Sequence, residues 1–288
     1  MTRPSSCNYS PPMPKHLTAQ QVSDFEEQGF LSPVDIMSED DAVELARELE
    51  DAEGRFPAVL DGRNRNNTHL VLSFMDRIAF NETILDVVED VLGPDILLWG
   101  TVLFIKEPDS PHYVSWHQDA TYMGLEPHEG VTPWLALSPS DTTSGCMRMI
   151  PGSHRWDIQA HSDTFAEDNI LTRGQNIEGV DEDTAVDLVL RPGQLSIHHP
   201  RTIHSSRPNR SNYRRMGIAL QLYMRPDVRQ VVGKGLAMHC RGVDRFGYHQ
   251  FMSRPSADMT DEGIRQWQMA NDNWNDILYA GAEQTRNF

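Results

Sequence analysis

The run Trp116, His117, Gln118, Asp119 reads as a strand entering a turn, and it sets an imidazole and a carboxylate two residues apart. On extended backbone such a pair projects to one face. With one further imidazole it makes the two-histidine, one-carboxylate set that binds iron(II) and leaves three coordination sites open. A His-x-Asp triplet alone is common by chance, and a hydrogen-bonded surface pair is its ordinary account. A second cluster adds to it: His204, Ser205, Ser206, Arg207, Pro208, Asn209, Arg210, Ser211, then Arg214 and Arg215. His204 stands 85 positions after Asp119, a separation that a strand on the far side of a jelly roll can bridge. Arg215, eleven positions further, falls on the following strand. From there its planar fork can reach back and grip a carboxylate bidentately, as the distal end of 2-oxoglutarate requires.

The elements that must position these residues are legible as a change of texture. Thr18 with Gln21 forms a capping-box pattern, and Val22, Phe25 and Phe30 give the apolar face of a helix stopping at Gly29. Ser38 caps a second helix through Ala52, and Ile84, Leu85, Val88, Val91 and Leu92 mark a third from Asn81, closed by Gly93 and Pro94. Beyond Pro94 the chain breaks into short β-rich runs: Ile96 to Lys106, Tyr113 to His117, Thr132 to Leu137, Met147 to Ile150, Val186 to Leu190, Gln194 to His198 and Met216 to Met224. The fold class expected is mainly β with flanking helices, a sandwich or jelly-roll barrel. Residues 157–182 have no clean period and are long for a plain connector, which favours a lid or insertion. A last helix is expected from Thr260 to about Ile277. The organisation expected is a loosely ordered arm over 1–16 and a single domain over 17–288. That domain has a helical part over 17–93, a jelly-roll core over about 94–226 and a helical segment over about 255–280.

Composition narrows the partners. With 25 Lys plus Arg against 42 Asp plus Glu the net charge is −17, so the summed field repels polyanions and disfavours nucleic acid. It also disfavours a bulky anionic carrier such as coenzyme A. Cys7, Cys146 and Cys240 show no paired spacing for a zinc knuckle or a disulfide framework, which fits a reducing compartment. No run approaches the length of a membrane helix, and the N-terminus lacks the apolar stretch of a signal peptide. The expectation is a cytoplasmic protein, monomer or homodimer, acting on a small molecule.

Three segments together carry a resemblance: Trp116-His117-Gln118-Asp119, then Gly145-Cys146-Met147-Arg148-Met149-Ile150-Pro151-Gly152-Ser153-His154, then His204 to Ser211 followed by Arg214-Arg215. In type, order and spacing the chain resembles the phytanoyl-CoA dioxygenase family from roughly Leu17 to Gly242. The resemblance implies a double-stranded β-helix, cupin-like, with iron(II) on His117, Asp119 and His204 and with 2-oxoglutarate and O2 as co-substrates. Arg215 and Ser206 would bind the distal carboxylate of 2-oxoglutarate. Gln118 and Trp134 match positions lining the same pocket, and Lys106 is a further candidate. Halogenating relatives carry Ala or Gly where this chain has Asp119, so the intact carboxylate argues for hydroxylation.

Blander accounts stand beside several of these residues. His198 and His199 precede His204 by only six and five positions and read as strand residues, one facing the barrel. His154 ends a turn, and His161 falls in the expected lid. Trp116 and Trp134 suit core packing as well as a pocket. Arg148, Arg155, Arg173 and the Asn-rich stretch Arg63 to His69 could meet a polar substrate or sit solvated at the surface. The resulting expectation is a 2-oxoglutarate-dependent hydroxylase of an aliphatic carbon in a small polar metabolite: an amino acid derivative, phosphonate, carboxylate or natural-product intermediate. A metal-binding jelly roll without turnover is the alternative, with acyl-CoA hydroxylation and halogenation behind it.

Overall fold

A computed structural model of the chain describes residues 14–60 and 65–285. Most of the expected arm, 1–13, and Arg63 and Asn64 of the Asn-rich stretch lie outside the described residues. The end of the arm is anchored instead of loose: the backbone N–H groups of Lys15 and His16 donate to the Asp90 carboxylate at 2.6 and 2.8 Å.

Helix α1 (Ala19–Gln28) opens on the capping box of Thr18 and Gln21 and closes at Gly29, whose φ of 80° suits a residue without Cβ. Phe30 does not extend the apolar face of α1. It begins strand β1 (Phe30–Asp35), which pattern reading misses because Pro33 interrupts it. β1 tolerates that proline because it lies at a sheet edge, with its register shifting between Leu31 and Val34. Helices α2 (Glu39–Arg55), α3 (Ser73–Ala79) and α4 (Glu82–Leu92) follow; Ser38 and Asn81 cap α2 and α4 by accepting from the N–H three residues on.

The other strands of the two main sheets are β2 (Ile96–Lys106), β3 (Val114–His117), β4 (Thr132–Ala136), β5 (Met147–Met149), β6 (Val186–Leu188), β7 (Gln194–His198), β8 (His204–Ser206), β9 (Arg215–Met224), β10 (Leu236–Arg241) and β11 (Gln250–Phe251). They form a larger sheet in the order β1-β7-β4-β9-β2-β10-β11 and a smaller one in the order β3-β8-β5-β6. Every pair is antiparallel except β10 with β11. This is the expected jelly roll. It reaches past the expected 94–226, taking β1 from the helical part and β10 and β11 from beyond Met224.

The period of two along β9 explains how one strand serves both the core and the site. Met216, Ile218 and Leu220 point into a core shared with Leu49 of α2 and Ile84, Leu85 and Val88 of α4. Arg215, Ala219 and Gln221, on the alternate face, line a cavity that also takes residues from the smaller sheet. Helix α5 (Asp261–Leu278), capped by Thr260, brings Trp274 and Leu278 to that cavity.

Candidate active site

His117 ends β3 and His204 begins β8, and the antiparallel register pairs these two positions directly. Asp119 follows in the turn, with φ −56° and ψ −41°, just before a short helical turn at Ala120–Met123. Among the described residues this is the one group of three such side chains whose ligand atoms converge, all within 4.8 Å of one another. Nε2 of His117 and of His204 stand 3.3 and 3.9 Å from Asp119 Oδ1.

The donor set fits a metal ion. Nδ1 of His117 lies 2.9 Å from Ser115 O, and Nδ1 of His204 lies 2.9 Å from Thr202 O. Only an N–H satisfies a carbonyl, so each Nδ1 carries the proton and each Nε2 presents a lone pair. Two imidazole lone pairs and a carboxylate oxygen then meet, and a cation resolves the mutual repulsion of three acceptors. Burial by itself would raise the Asp119 carboxyl, but the surrounding His117, His198 and His204 hold it well below the usual carboxylate range. Burial, and then the neighbouring His117, push His204 well below its ordinary value, against the pull of Asp119. Both shifts favour the protonation states that bind metal.

A second feature lies deeper between the sheets. Arg215 is 2% exposed, donates to Gly145 O at 3.2 Å, stacks 5.0 Å from the Trp134 ring and leaves Nε without a partner. Burial lowers its pKa to about 10. Lys106 pairs with Arg215 in the β2–β9 register, and burial followed by the Arg215 charge pushes its ammonium well below the ordinary value. Among the described residues no carboxylate lies within ion-pair distance of either. A buried guanidinium without a carboxylate partner is suited to receive an anion.

The sequence-predicted residues divide accordingly. Trp134, Ser206 and Arg215 line the cavity with the triad. Lys106 stands behind it, its ammonium engaged by Ser206 Oγ at 2.7 Å and Arg207 O at 2.6 Å. Gln118 turns away from the cavity, where it donates to Arg201 O and accepts from Gln159 N. His161 accepts from Gln118 N, His154 contacts Glu26 O, and His199 faces Glu129. Arg148 is taken by Glu182 and Asp187, Arg155 by Glu26 O and Arg173 by Asp163. The 157–182 segment does cover the site: Leu171 and Gln175 line the cavity, and the segment is tied to the main body where Ser115 Oγ accepts from Asn169 Nδ2.

Sequence reasoning missed the aromatic wall. Trp99 of β2 and Trp274 of α5 stack with ring centroids 4.3 Å apart, and Tyr122, Met123 and Leu278 continue the apolar surface. Alternation along β2 could have flagged Trp99. Nothing local could have brought Trp274 to it.

A model of the phytanoyl-CoA dioxygenase (PhyH) family matches residues 25–217, from within α1 to within β9, so it takes in the whole triad and Arg215. The chain belongs to the phytanoyl-CoA dioxygenase family. Within that family's wider similarity, the chain is 30% identical over 156 residues to a probable alpha-ketoglutarate-dependent hypophosphite dioxygenase of Stutzerimonas stutzeri, covering 53% of this chain and 54% of that protein. It is 33% identical over 141 residues to the peroxisomal phytanoyl-CoA dioxygenase of Bos taurus, covering 47% of this chain and 42% of that one. The match thus spans about half the length of these curated relatives. Among solved structures, the apo form of the non-heme monooxygenase ThoJ superposes with a TM-score of 0.80 at 31% identity, over 90% of this chain and 97% of that chain. The α5 wall of the cavity, Trp274 and Leu278, lies outside the segment that the PhyH model matches.

Proposed function

We propose that this chain is an iron(II)- and 2-oxoglutarate-dependent dioxygenase that hydroxylates an aliphatic carbon of a small molecule. The observation that carries the reading is the pairing, in one cavity, of three converging metal-type ligands with a buried guanidinium that has no carboxylate partner. His117, Asp119 and His204 hold iron through two Nε2 atoms and a carboxylate oxygen. Arg215 receives the distal carboxylate of 2-oxoglutarate. Ser206 Oγ, already accepting from Lys106 Nζ, keeps its own hydroxyl proton for the same carboxylate. Trp134 covers the guanidinium and holds its plane. Bound iron with 2-oxoglutarate and O2 supplies an oxidant able to take hydrogen from an unactivated carbon, leaving succinate and carbon dioxide. The protein's own share is to fix the target carbon and keep water away.

The lining narrows the substrate. Arg215 and Asp119 are the ionisable side chains of strong charge in the cavity, and both are committed to the co-substrate and the metal. What remains is mainly apolar, with Trp99, Val102, Phe104, Tyr122, Leu171 and Trp274, and its other polar groups, among them Asn66, Thr132, Gln175, Ser205 and Gln221, are uncharged. A substrate charge buried there would lose its hydration with no compensating partner. The part of the metabolite that enters is therefore uncharged and largely apolar, which sets phosphonates and simple carboxylates below natural-product intermediates and neutral amino acid derivatives. An acyl-CoA would also need cations at the cavity for its phosphates. Residues 17–288 act as one unit in this reading, since β-strands, the 157–182 segment and α5 line a single cavity.

Anaerobic addition of iron(II) and 2-oxoglutarate should produce a weak visible charge-transfer band, and aerobic incubation should release succinate. A binding module without turnover predicts neither, and a halogenase predicts chloride-dependent products. Absence of the band at saturating iron and 2-oxoglutarate would sink the enzyme reading.

A further inference from the structure

His198 ends β7 buried, 2% exposed, and it lines the same cavity without belonging to the converging triad. Its ring centroid lies 4.7 Å from that of His204. Neither of its nitrogens has a hydrogen-bond partner, an uncommon condition for a buried polar side chain. The nearest acidic atom is Asp119 Oδ2, 3.5 Å from Nε2 and just beyond a made hydrogen bond. The carboxylate is thus divided between two neighbourhoods. Oδ1 faces the lone pairs of His117 and His204, and Oδ2 faces His198.

We propose that His198 is a positioning residue that takes Oδ2 as its hydrogen-bond acceptor and so restricts Asp119 to one-oxygen ligation of the metal. The proposal rests on the metal-site reading given above. Its consequence is a matter of coordination number. Two imidazoles and one carboxylate oxygen leave three sites on a six-coordinate ion, and a second carboxylate oxygen would leave two. A co-substrate chelating through two atoms would then fill them, and no site would remain for O2. The backbone holds His198 in the position this role needs, because its strand is paired on both sides, opposite Phe30 of β1 and Thr132 of β4. A partner to a ligating carboxylate fixes orientation in the same way as a partner to a ligating imidazole, and its loss typically weakens metal binding by about 10- to 100-fold.

The test uses the full chain loaded with cobalt(II), whose visible d–d absorption weakens as coordination number rises. His198→Phe keeps a ring of similar volume and removes both nitrogens; His198→Gln restores a donor. His198→Phe should weaken cobalt(II) binding by about 10- to 100-fold and change the d–d band, and His198→Gln should recover most of both. Unchanged affinity and spectrum in His198→Phe, or equal impairment in His198→Gln, overturns the proposal. Should His198→Phe fail to fold, a crystal structure of the cobalt-loaded wild-type protein decides: Oδ2 within hydrogen-bond distance of Nε2 and off the metal supports it, and both carboxylate oxygens on the metal overturns it. A His117→Ala control separates the two levels, because cobalt binding that survives that change refutes the metal site itself, whatever His198 does.

Discussion

Replacing Arg215 by Met should move folding and co-substrate binding in opposite directions. The guanidinium donates to Gly145 O and leaves Nε unsatisfied. Burial brings its pKa from an ordinary value of roughly 12.5 to about 10. At 1.36 kcal/mol for each tenfold change, keeping it charged in that place costs about 3 kcal/mol. Met has a comparable stem and no charge to desolvate. The ligand-free variant should therefore gain up to that amount, less about 1 kcal/mol each for the lost Gly145 contact and the stacking on Trp134. A net gain of about 1 kcal/mol raises the melting midpoint by about 2–4 °C in a chain of this size. Binding runs the other way. Truncating one partner of a buried, hydrogen-bonded charge pair costs about 2–5 kcal/mol, which weakens 2-oxoglutarate by about 30- to 4000-fold at 1.4 kcal/mol per tenfold. Anaerobic thermal melts of the iron-loaded protein with and without 2-oxoglutarate read both effects, and calorimetric titration gives the affinity. Wild type should gain stability from 2-oxoglutarate and the variant should not. A variant that melts well below wild type without ligand, yet binds 2-oxoglutarate as tightly, would make Arg215 a structural residue and refute the assignment.

Three further outcomes follow from the same geometry. His204→Ala should abolish succinate release and metal retention; turnover that survives would pass the ligand role to a neighbouring imidazole such as His198. Gly217→Ala would drive a Cβ into the Trp134 ring, so the ring that covers Arg215 must move. That variant should lose about 1–3 kcal/mol of stability and bind 2-oxoglutarate more weakly while its metal affinity, measured separately, stays near wild type. His69 supplies a pH dependence unrelated to the site: burial lowers its pKa from 6.5 to about 3, so between those values the unfolded chain binds a proton that the folded chain refuses. Its contribution is complete above pH 6.5 and drains as pH falls, by about 2 kcal/mol at pH 5; His69→Gln should flatten that part of the slope in urea melts at pH 7 and pH 5.

What the sequence made legible and what it hid follow from the range of the forces involved. Capping at Thr18 and Ser38, the helix beginning near Asn81 and the β-rich run Met216 to Met224 are local, and each appears where pattern reading puts it. β1 was hidden because its Pro33 is tolerable only at an edge, and edge position is a property of the assembled sheet. The same division runs through the site. His117 and Asp119 are brought together across two positions of chain, His117 at the end of β3 and Asp119 in the turn that follows, while Gln118 between them is held away from the pocket by Arg201 O and Gln159 N. Lys106 and Arg215 meet through cross-strand register, so the sequence could nominate each and could not say which one faces the cavity. Trp99 and Trp274 are 175 positions apart and meet only because α5 packs against the cavity wall. The residues proposed to bind metal and co-substrate are therefore readable from short motifs, since their chemistry dictates their spacing. Those that choose the substrate are assembled by tertiary packing, and no local rule constrains them. This asymmetry is why the reaction class stands on the sequence while the uncharged substrate proposed above rests on the fold.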